Sequence, residues 1–186
     1  MNRVFIDTET TGLKPVHHEL IEICIITEHE GGNVEHYETK IRPMNIQRAD
    51  LKALEINGYN QKECNKAPSF DQIAEDIHKR LSGRNKIIIG HNPLFDIDFI
   101  EEHLFKQGLT LGRIRTFDTA SLAYEHLYDL GLKSLSLSNI RRFLKWESHG
   151  EHRAGKDCQD TRRLFNLLFK IPWWKKVILW VQLKLK

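Results

Sequence analysis

LIEICIITEHEGGNVEHYETKI, residues 20–41, decides the fold. Its first nine residues alternate only loosely but are rich in isoleucine, which suits a central strand. Gly31-Gly32-Asn33 then makes a hairpin turn into a second strand over 34–41, giving an antiparallel start. Upstream, residues 3–7 form a short apolar run ending in an acid, read as the first strand, and residues 10–15, with Gly12 and Pro15, form a turn. Downstream, Phe70, Ile73, Ala74, Ile77 and Leu81 recur at helical spacing behind Ser69, a candidate N-cap. Lys86–Gly90 (KIIIG) reads as a fully buried strand, and a helix over about 94–107 follows it until Gly108. A strand over 113–117, a helix from about Thr119, and helices over 134–144 and 154–170 complete the series. Three hairpin-type strands followed by alternating helices and strands predict an α/β domain whose mixed central sheet begins with three antiparallel strands and is flanked by helices.

The 186 residues fit one domain with a sizeable core, residues 1–170, and a short appendage, 171–186. Hydrophobic content of 40% and charged content of 28% are ordinary for a globular protein. Cys24, Cys64 and Cys158 are odd in number and have no CxxC spacing. That argues against a disulfide framework and a zinc knuckle, and points to a reducing cytoplasm. The chain opens directly on a strand-like run, so no signal or transit peptide is expected. The net charge of +3 is uneven: from Phe165 onward there are five lysines and no acids, which leaves the first 164 residues at −2. Such a body is not a strongly basic nucleic-acid surface, and bound cations or local patches would have to offset its acids.

Four acids and one histidine in separate short motifs carry the chemistry. Asp7 and Glu9 lie two apart at a strand end, so period-two geometry points both to one face. Two carboxylates that close repel each other unless a cation sits between them. The following Thr10-Thr11-Gly12 turn offers backbone N–H groups that suit a phosphate or sugar. Asp96 lies at a strand-to-helix junction after His91-Asn92-Pro93, where Asp98 has a similar claim. His152 and Asp157 are five apart, about 140° on a continuous helix, and so do not share a helical face. This places Asp157 on the helix and His152 in the loop before it, where an imidazole can reach a water as general base. His149, Glu151 and Asp160 flank the same segment. Clustered acids that hold a Mg²⁺-type ion, with a histidine able to take a proton from water, suit metal-dependent phosphodiester hydrolysis.

Taken together, Asp7-Thr8-Glu9-Thr10-Thr11-Gly12-Leu13, His91-Asn92-Pro93-Leu94-Phe95-Asp96-Ile97-Asp98-Phe99 and His152-Arg153-Ala154-Gly155-Lys156-Asp157 resemble, in order and spacing, the three motifs of the DEDDh branch of the DnaQ-like 3′→5′ exonuclease superfamily. That superfamily includes the epsilon proofreading subunit of bacterial replicases. The resemblance runs from about Val4 to Phe169 and favours Asp96 over Asp98 and Asp157 over Asp160. It implies an RNase H-like fold of the exonuclease type, two Mg²⁺ or Mn²⁺ ions, and Asp7, Glu9, Asp96 and Asp157 as their ligands. His152 is implied as general base, and the product as nucleoside 5′-monophosphates from a 3′ end. Thr10, Thr11 and Leu13 are implied to contact the terminal nucleotide, with Asn92 a further polar contact. Two places differ or need assignment. Glu55-Ile56-Asn57-Gly58 stands where epsilon-type relatives often have a histidine-glycine pair. Asp118, in a segment that looks like the family's DT strand end, is read as the N-cap of the next helix.

The resemblance points to single-stranded DNA. The alternatives are an exoribonuclease on short or structured RNA, and a non-catalytic accessory subunit of a polymerase or clamp. The final segment, IPWWKKVILWVQLKLK (171–186), holds three of the four tryptophans and four lysines. Its longest uncharged run, 177–183, is too short to span a bilayer. It suits folding back on the domain, a protein partner such as a polymerase or clamp, or a lipid surface. Gln182-Leu183-Lys184-Leu185 faintly resembles a clamp-binding peptide without its terminal aromatic.

Overall fold

The computed structural model describes residues 1–146 and 152–169, together with Pro172, Ile178 and Val181. The expected appendage over 171–186, including the clamp-like residues 182–185, therefore lies almost wholly outside the described residues. A five-stranded sheet has the order β3-β2-β1-β4-β5. It comprises β1 (Asn2–Thr10), β2 (Leu20–Glu28), β3 (Val34–Lys40), β4 (Lys86–Gly90) and β5 (Thr116–Asp118). The first three strands pair antiparallel, with Asp7 opposite Cys24 and Ile25 opposite Tyr37. β4 joins β1 in parallel, and β5 joins β4 in parallel. The mixed sheet and its antiparallel start match the expectation.

Both faces are covered. On one, α3 (Phe70–Leu81) and α4 (Pro93–Phe105) close a core containing Val4, Ile6, Ile23, Ile25, Ile77, Ile88 and Leu104. On the other, α7 (Ala154–Leu168) lies across β1, β2 and β4, sealing Phe5, Cys24, Ile26, Ile89 and Phe165. α5 (Thr119–Leu127) and α6 (Leu137–Phe143) pack against the outer side of α7. Burial on both faces is why β2 alternates so loosely: all nine of its residues are buried. Its two buried acids are ion-paired, Glu22 with Arg153 at 3.3 Å and Lys40 at 3.7 Å, and Glu28 with Arg3 at 2.6 Å and Arg162 at 2.7 Å.

Several boundaries differ from the sequence reading. β1 continues through Glu9 to Thr10, with a register shift between those two residues. β5 is only three residues long, because residues 113–115 pair too little to form a ladder. Two short helices, α1 (Leu51–Ile56) and α2 (Gln61–Cys64), are additions. They are too short to show a 3.6-residue period, and Cys64 is their only buried residue; Asp50 and Asn60 cap them through side chain to backbone bonds. α6 begins at Leu137 rather than 134, since Ser136 serves as its cap. Ser69 caps α3 as expected, with the Gln72 side chain accepting the Ser69 N–H at 3.0 Å.

The β4–α4 connection sets the position of the site. A Cβ on Gly90 would lie 2.7 Å from the Pro93 Cβ, so only glycine lets the strand turn this tightly into the helix. Asn92 supplies the left-handed residue (φ 67°) between them. Asp96 thereby falls in the first turn of α4, beside the carboxyl end of β1.

Candidate active site

β1 and β4 are parallel neighbours, so their carboxyl ends open on the same edge of the sheet, where ligands commonly bind in α/β folds. Asp7 and Glu9 extend from one face of β1, and α7 delivers Asp157 from its first turn. One carboxylate oxygen from each of Asp7, Glu9 and Asp157 lies within 4.8 Å of the others. Asp96 approaches from the opposite side and is buried, accepting a 2.7 Å hydrogen bond from Thr8 Oγ1. Asp98, by contrast, faces solvent.

This concentration of acid resists ionisation. Burial, followed by the charges of Asp96, Asp157 and Glu9, holds Asp7 well above the usual carboxylate range. Burial, with Asp157, Glu22 and Asp96 adding to it and Arg153 opposing, pushes Glu9 up to about 8. Asp96 is pushed up to about 7 by burial, offset in part by its bonds from Thr8 and backbone N–H groups. Asp157 is also raised by burial, against the pull of Arg141. Four carboxyl groups with too little compensating charge fit a hard, oxygen-seeking divalent cation.

His152 lies just ahead of α7 in a left-handed conformation (φ 58°), exposed and close enough to Asp157 for its charge to favour the ionised carboxylate. The flanking His149 and Glu151 lie outside the described residues. Thr10 and Thr11 are buried: the Thr10 hydroxyl donates to Gly12 O at 2.7 Å, and the Thr11 hydroxyl accepts from Glu19 N at 2.9 Å. Leu13 is 76% exposed beside them. Asn92 is exposed, and its N–H donates to Asp118 Oδ1 at 2.9 Å. Asp118 caps α5 through the Ala120 N–H, as read from the sequence, and so ties two helix starts together.

Three residues that the sequence reading passed over complete the neighbourhood. Arg141, only 1% exposed, donates from its guanidinium to Asp157 Oδ1 at 2.6 Å and to Asp160 Oδ2 at 2.7 Å. Asp160 shares this arginine with Asp157 and also pairs with Lys156 at 3.2 Å, but only Asp157 of the two converges with Asp7 and Glu9. Thr8 supports Asp96. Asn57, in the Glu55–Gly58 segment that departs from epsilon-type relatives, donates from Nδ2 to Thr10 O at 2.9 Å. That segment thus braces the Thr10–Leu13 turn. Nothing local marked Arg141, since its role depends on acids sixteen and nineteen residues away.

The raised groups give stability a definite slope with pH. Between the ordinary values of 4.5 and 3.8 and the folded values of about 8 for Glu9 and about 7 for Asp96, the folded state holds protons that the unfolded state has released. Rising pH through that window therefore favours unfolding. The metal-free protein is expected to lose stability steadily as pH rises from about 4 to about 8. Mg²⁺ or Mn²⁺ should flatten the slope, and denaturant unfolding with and without chelator reads this directly. A metal-free protein whose stability rises over the same interval would contradict the assigned electrostatics. Arg141→Leu strands two buried carboxylates and should cost about 3–5 kcal/mol in the same assay; a change within ~0.5 kcal/mol would show that the ion pairs are not buried in solution.

Comparison with known proteins places this geometry. Residues 4–165 match the family model described as exonuclease. The chain is 29% identical over 168 residues to the PolC-type DNA polymerase III of Clostridium perfringens, covering 90% of this chain and 11% of that protein. It is 28% identical over 165 residues to the DNA polymerase III subunit epsilon of Treponema pallidum, covering 87% and 74%. Among solved structures, E. coli exonuclease I in complex with a dT13 oligonucleotide superposes with a TM-score of 0.75 at 19% identity, over 95% of this chain and 45% of that one. The chain thus spans about a tenth of the PolC-type polymerases it resembles and under half of exonuclease I. The match over nearly the whole described sheet and its helices, with the three motifs meeting at one sheet edge, makes this chain a member of the DnaQ-like exonuclease family.

Proposed function

We propose that this protein removes nucleotides from the 3′ end of single-stranded DNA by phosphodiester hydrolysis, releasing nucleoside 5′-monophosphates. The observation that carries this reading is the convergence of the Asp7, Glu9 and Asp157 carboxylates within 4.8 Å at the carboxyl end of β1. The relatives named as DNA polymerase III proteins, and exonuclease I bound to a DNA oligonucleotide, support DNA as the substrate. Asp7, Glu9 and Asp157 would hold one Mg²⁺ or Mn²⁺, and Asp7 together with Asp96 a second. Such ions neutralise charge on the phosphate and make water easier to deprotonate.

The chain's own groups do the remainder. His152 takes the proton from the attacking water; it lies exposed in the loop just before α7. Arg141 fixes one oxygen of Asp157, leaving the other free for a cation. The Thr10 and Thr11 backbone, held by Asn57 and Glu19, presents a rigid turn to the terminal nucleotide. Exposed Leu13 wedges against its base, and Asn92 offers a polar contact. We assign residues 1–170 to this catalytic unit and 171–186 to an appended basic segment that suits a polymerase or clamp partner. The three free cysteines, all buried, suit a reducing cytoplasm. Among the described residues no helix is long and apolar enough to cross a membrane.

Asp7→Ala should abolish release of mononucleotides from a 3′-labelled DNA strand in Mg²⁺ or Mn²⁺, while its metal-free unfolding midpoint stays at or above that of the wild type. Normal turnover by this variant would sink the assignment. His152→Ala should lower turnover by about 10²–10⁴-fold. Matched 5′-labelled DNA and RNA strands assayed in parallel fix polarity and sugar preference, and faster digestion of RNA would transfer the proposal to an exoribonuclease.

A further inference from the structure

A second convergence of ligating atoms lies toward the β3 edge of the sheet, one strand outward from Asp7, which pairs with Cys24 in the β1–β2 ladder. In the β2–β3 ladder Cys24 faces Glu38, and Ile26 faces His36 two residues along. Period-two geometry therefore turns Cys24, His36 and Glu38 to the same face, the one covered by α7. His36 Nε2 lies 3.3 Å from Cys24 Sγ and 3.3 Å from Glu38 Oε2, and the three ligating atoms all lie within 4.8 Å of one another. We propose that Cys24, His36 and Glu38 form a binding site for one thiophilic divalent cation of the Zn²⁺ class, distinct from the acid cluster.

The donor set argues for that class. A thiolate sulfur, an imidazole nitrogen and a carboxylate oxygen suit Zn²⁺ or Co²⁺, whereas Mg²⁺ takes oxygen ligands. Three protein ligands leave the fourth tetrahedral position open to water. Access is built in: Cys24 forms a buried floor, while the His36 and Glu38 side chains at the rim are 44% and 40% exposed. Space for the carboxylate is also built in. Gly155, in the first turn of α7, lies directly against Glu38, and a Cβ there would collide with the carboxyl group. Cys158 touches Cys24 from the α7 side, placing a second thiol next to the floor. The ion would take Cys24 as thiolate, its proton passing to solvent, and His36 as neutral imidazole with its proton on Nδ1. The bound ion would join the edge strand β3 to β2 and add its binding free energy to the stability of that edge.

Titration of the full chain with Co²⁺ in excess Mg²⁺, which keeps oxygen-only sites occupied, tests the site. We expect a thiolate-to-cobalt charge-transfer band and intense tetrahedral visible bands that saturate at one equivalent and vanish on adding Zn²⁺. Cys24→Ser and His36→Ala should lose these bands, and Glu38→Gln should weaken them. His36→Ala alters an exposed side chain, so it keeps the test valid if Cys24→Ser fails to fold. Absence of the band in the wild type, or a band of undiminished intensity in Cys24→Ser or His36→Ala, overturns the proposal. The readout does not involve hydrolysis, so its outcome is independent of the exonuclease reading.

Discussion

Burial of four neighbouring carboxyl groups, Asp7, Glu9, Asp96 and Asp157, compounded by repulsion between them, is the constraint around which this protein is arranged. Buried carboxyl groups at one sheet edge oppose folding unless protonated or paired with cations. The chain supplies only part of the remedy. Arg141 reaches Asp157, Arg153 lies near Glu9, and the Thr8 hydroxyl supports Asp96. What remains uncompensated is a region of negative potential fitted to a divalent cation. The hydrophobic layers on both faces of the sheet hold the acids in place despite the strain.

The same economy governs the surrounding loops. The Thr10–Leu13 turn is not anchored by its own strand alone. Thr11 is bonded to Glu19, Asp50 N–H donates to Thr11 O at 2.7 Å, and Asn57 holds Thr10 O. Asp50 and Asn57, the caps of the short α1 helix, therefore brace the turn, although no residue of the helix itself is buried. On the far side, Asp118 caps α5 while accepting the Asn92 N–H, so the starts of α4 and α5 are fixed relative to each other and to Asp96. A hydrogen-bonded backbone beside an exposed side chain such as Leu13 is an arrangement that favours positioning over tight enclosure.

Buried charge away from the site is treated differently. Glu22 and Glu28 on the interior strand β2 each find two cationic partners, drawn from β1, β3 and the α7 region. The Arg153 and Arg162 pairs bind the α7 region to the sheet, and α7 is the helix that delivers Asp157. The acids that are paired thus secure the position of those that are not.

Local pattern determined much of this protein. The isoleucine-rich run and Gly-Gly-Asn turn specify the antiparallel start, because strand and turn preferences act over neighbouring residues. The helical spacing from Phe70 to Leu81 and the five-residue offset of His152 from Asp157 were likewise legible, since one period or one boundary suffices to read them. α1 and α2 were not, being too short to carry a period. Nor were Arg141, Thr8 and Asn57, whose roles depend on partners 16, 88 and 47 residues away along the chain. Spacing alone left Asp96 and Asp98, or Asp157 and Asp160, as rivals, and only the motif resemblance chose between them; in the structure Asp96 is buried while Asp98 is exposed, and Asp157 rather than Asp160 converges with Asp7 and Glu9. Residue type and spacing are written along the chain; which charges meet, and which are left without a counter-charge, is decided only when the sheet and α7 close on each other.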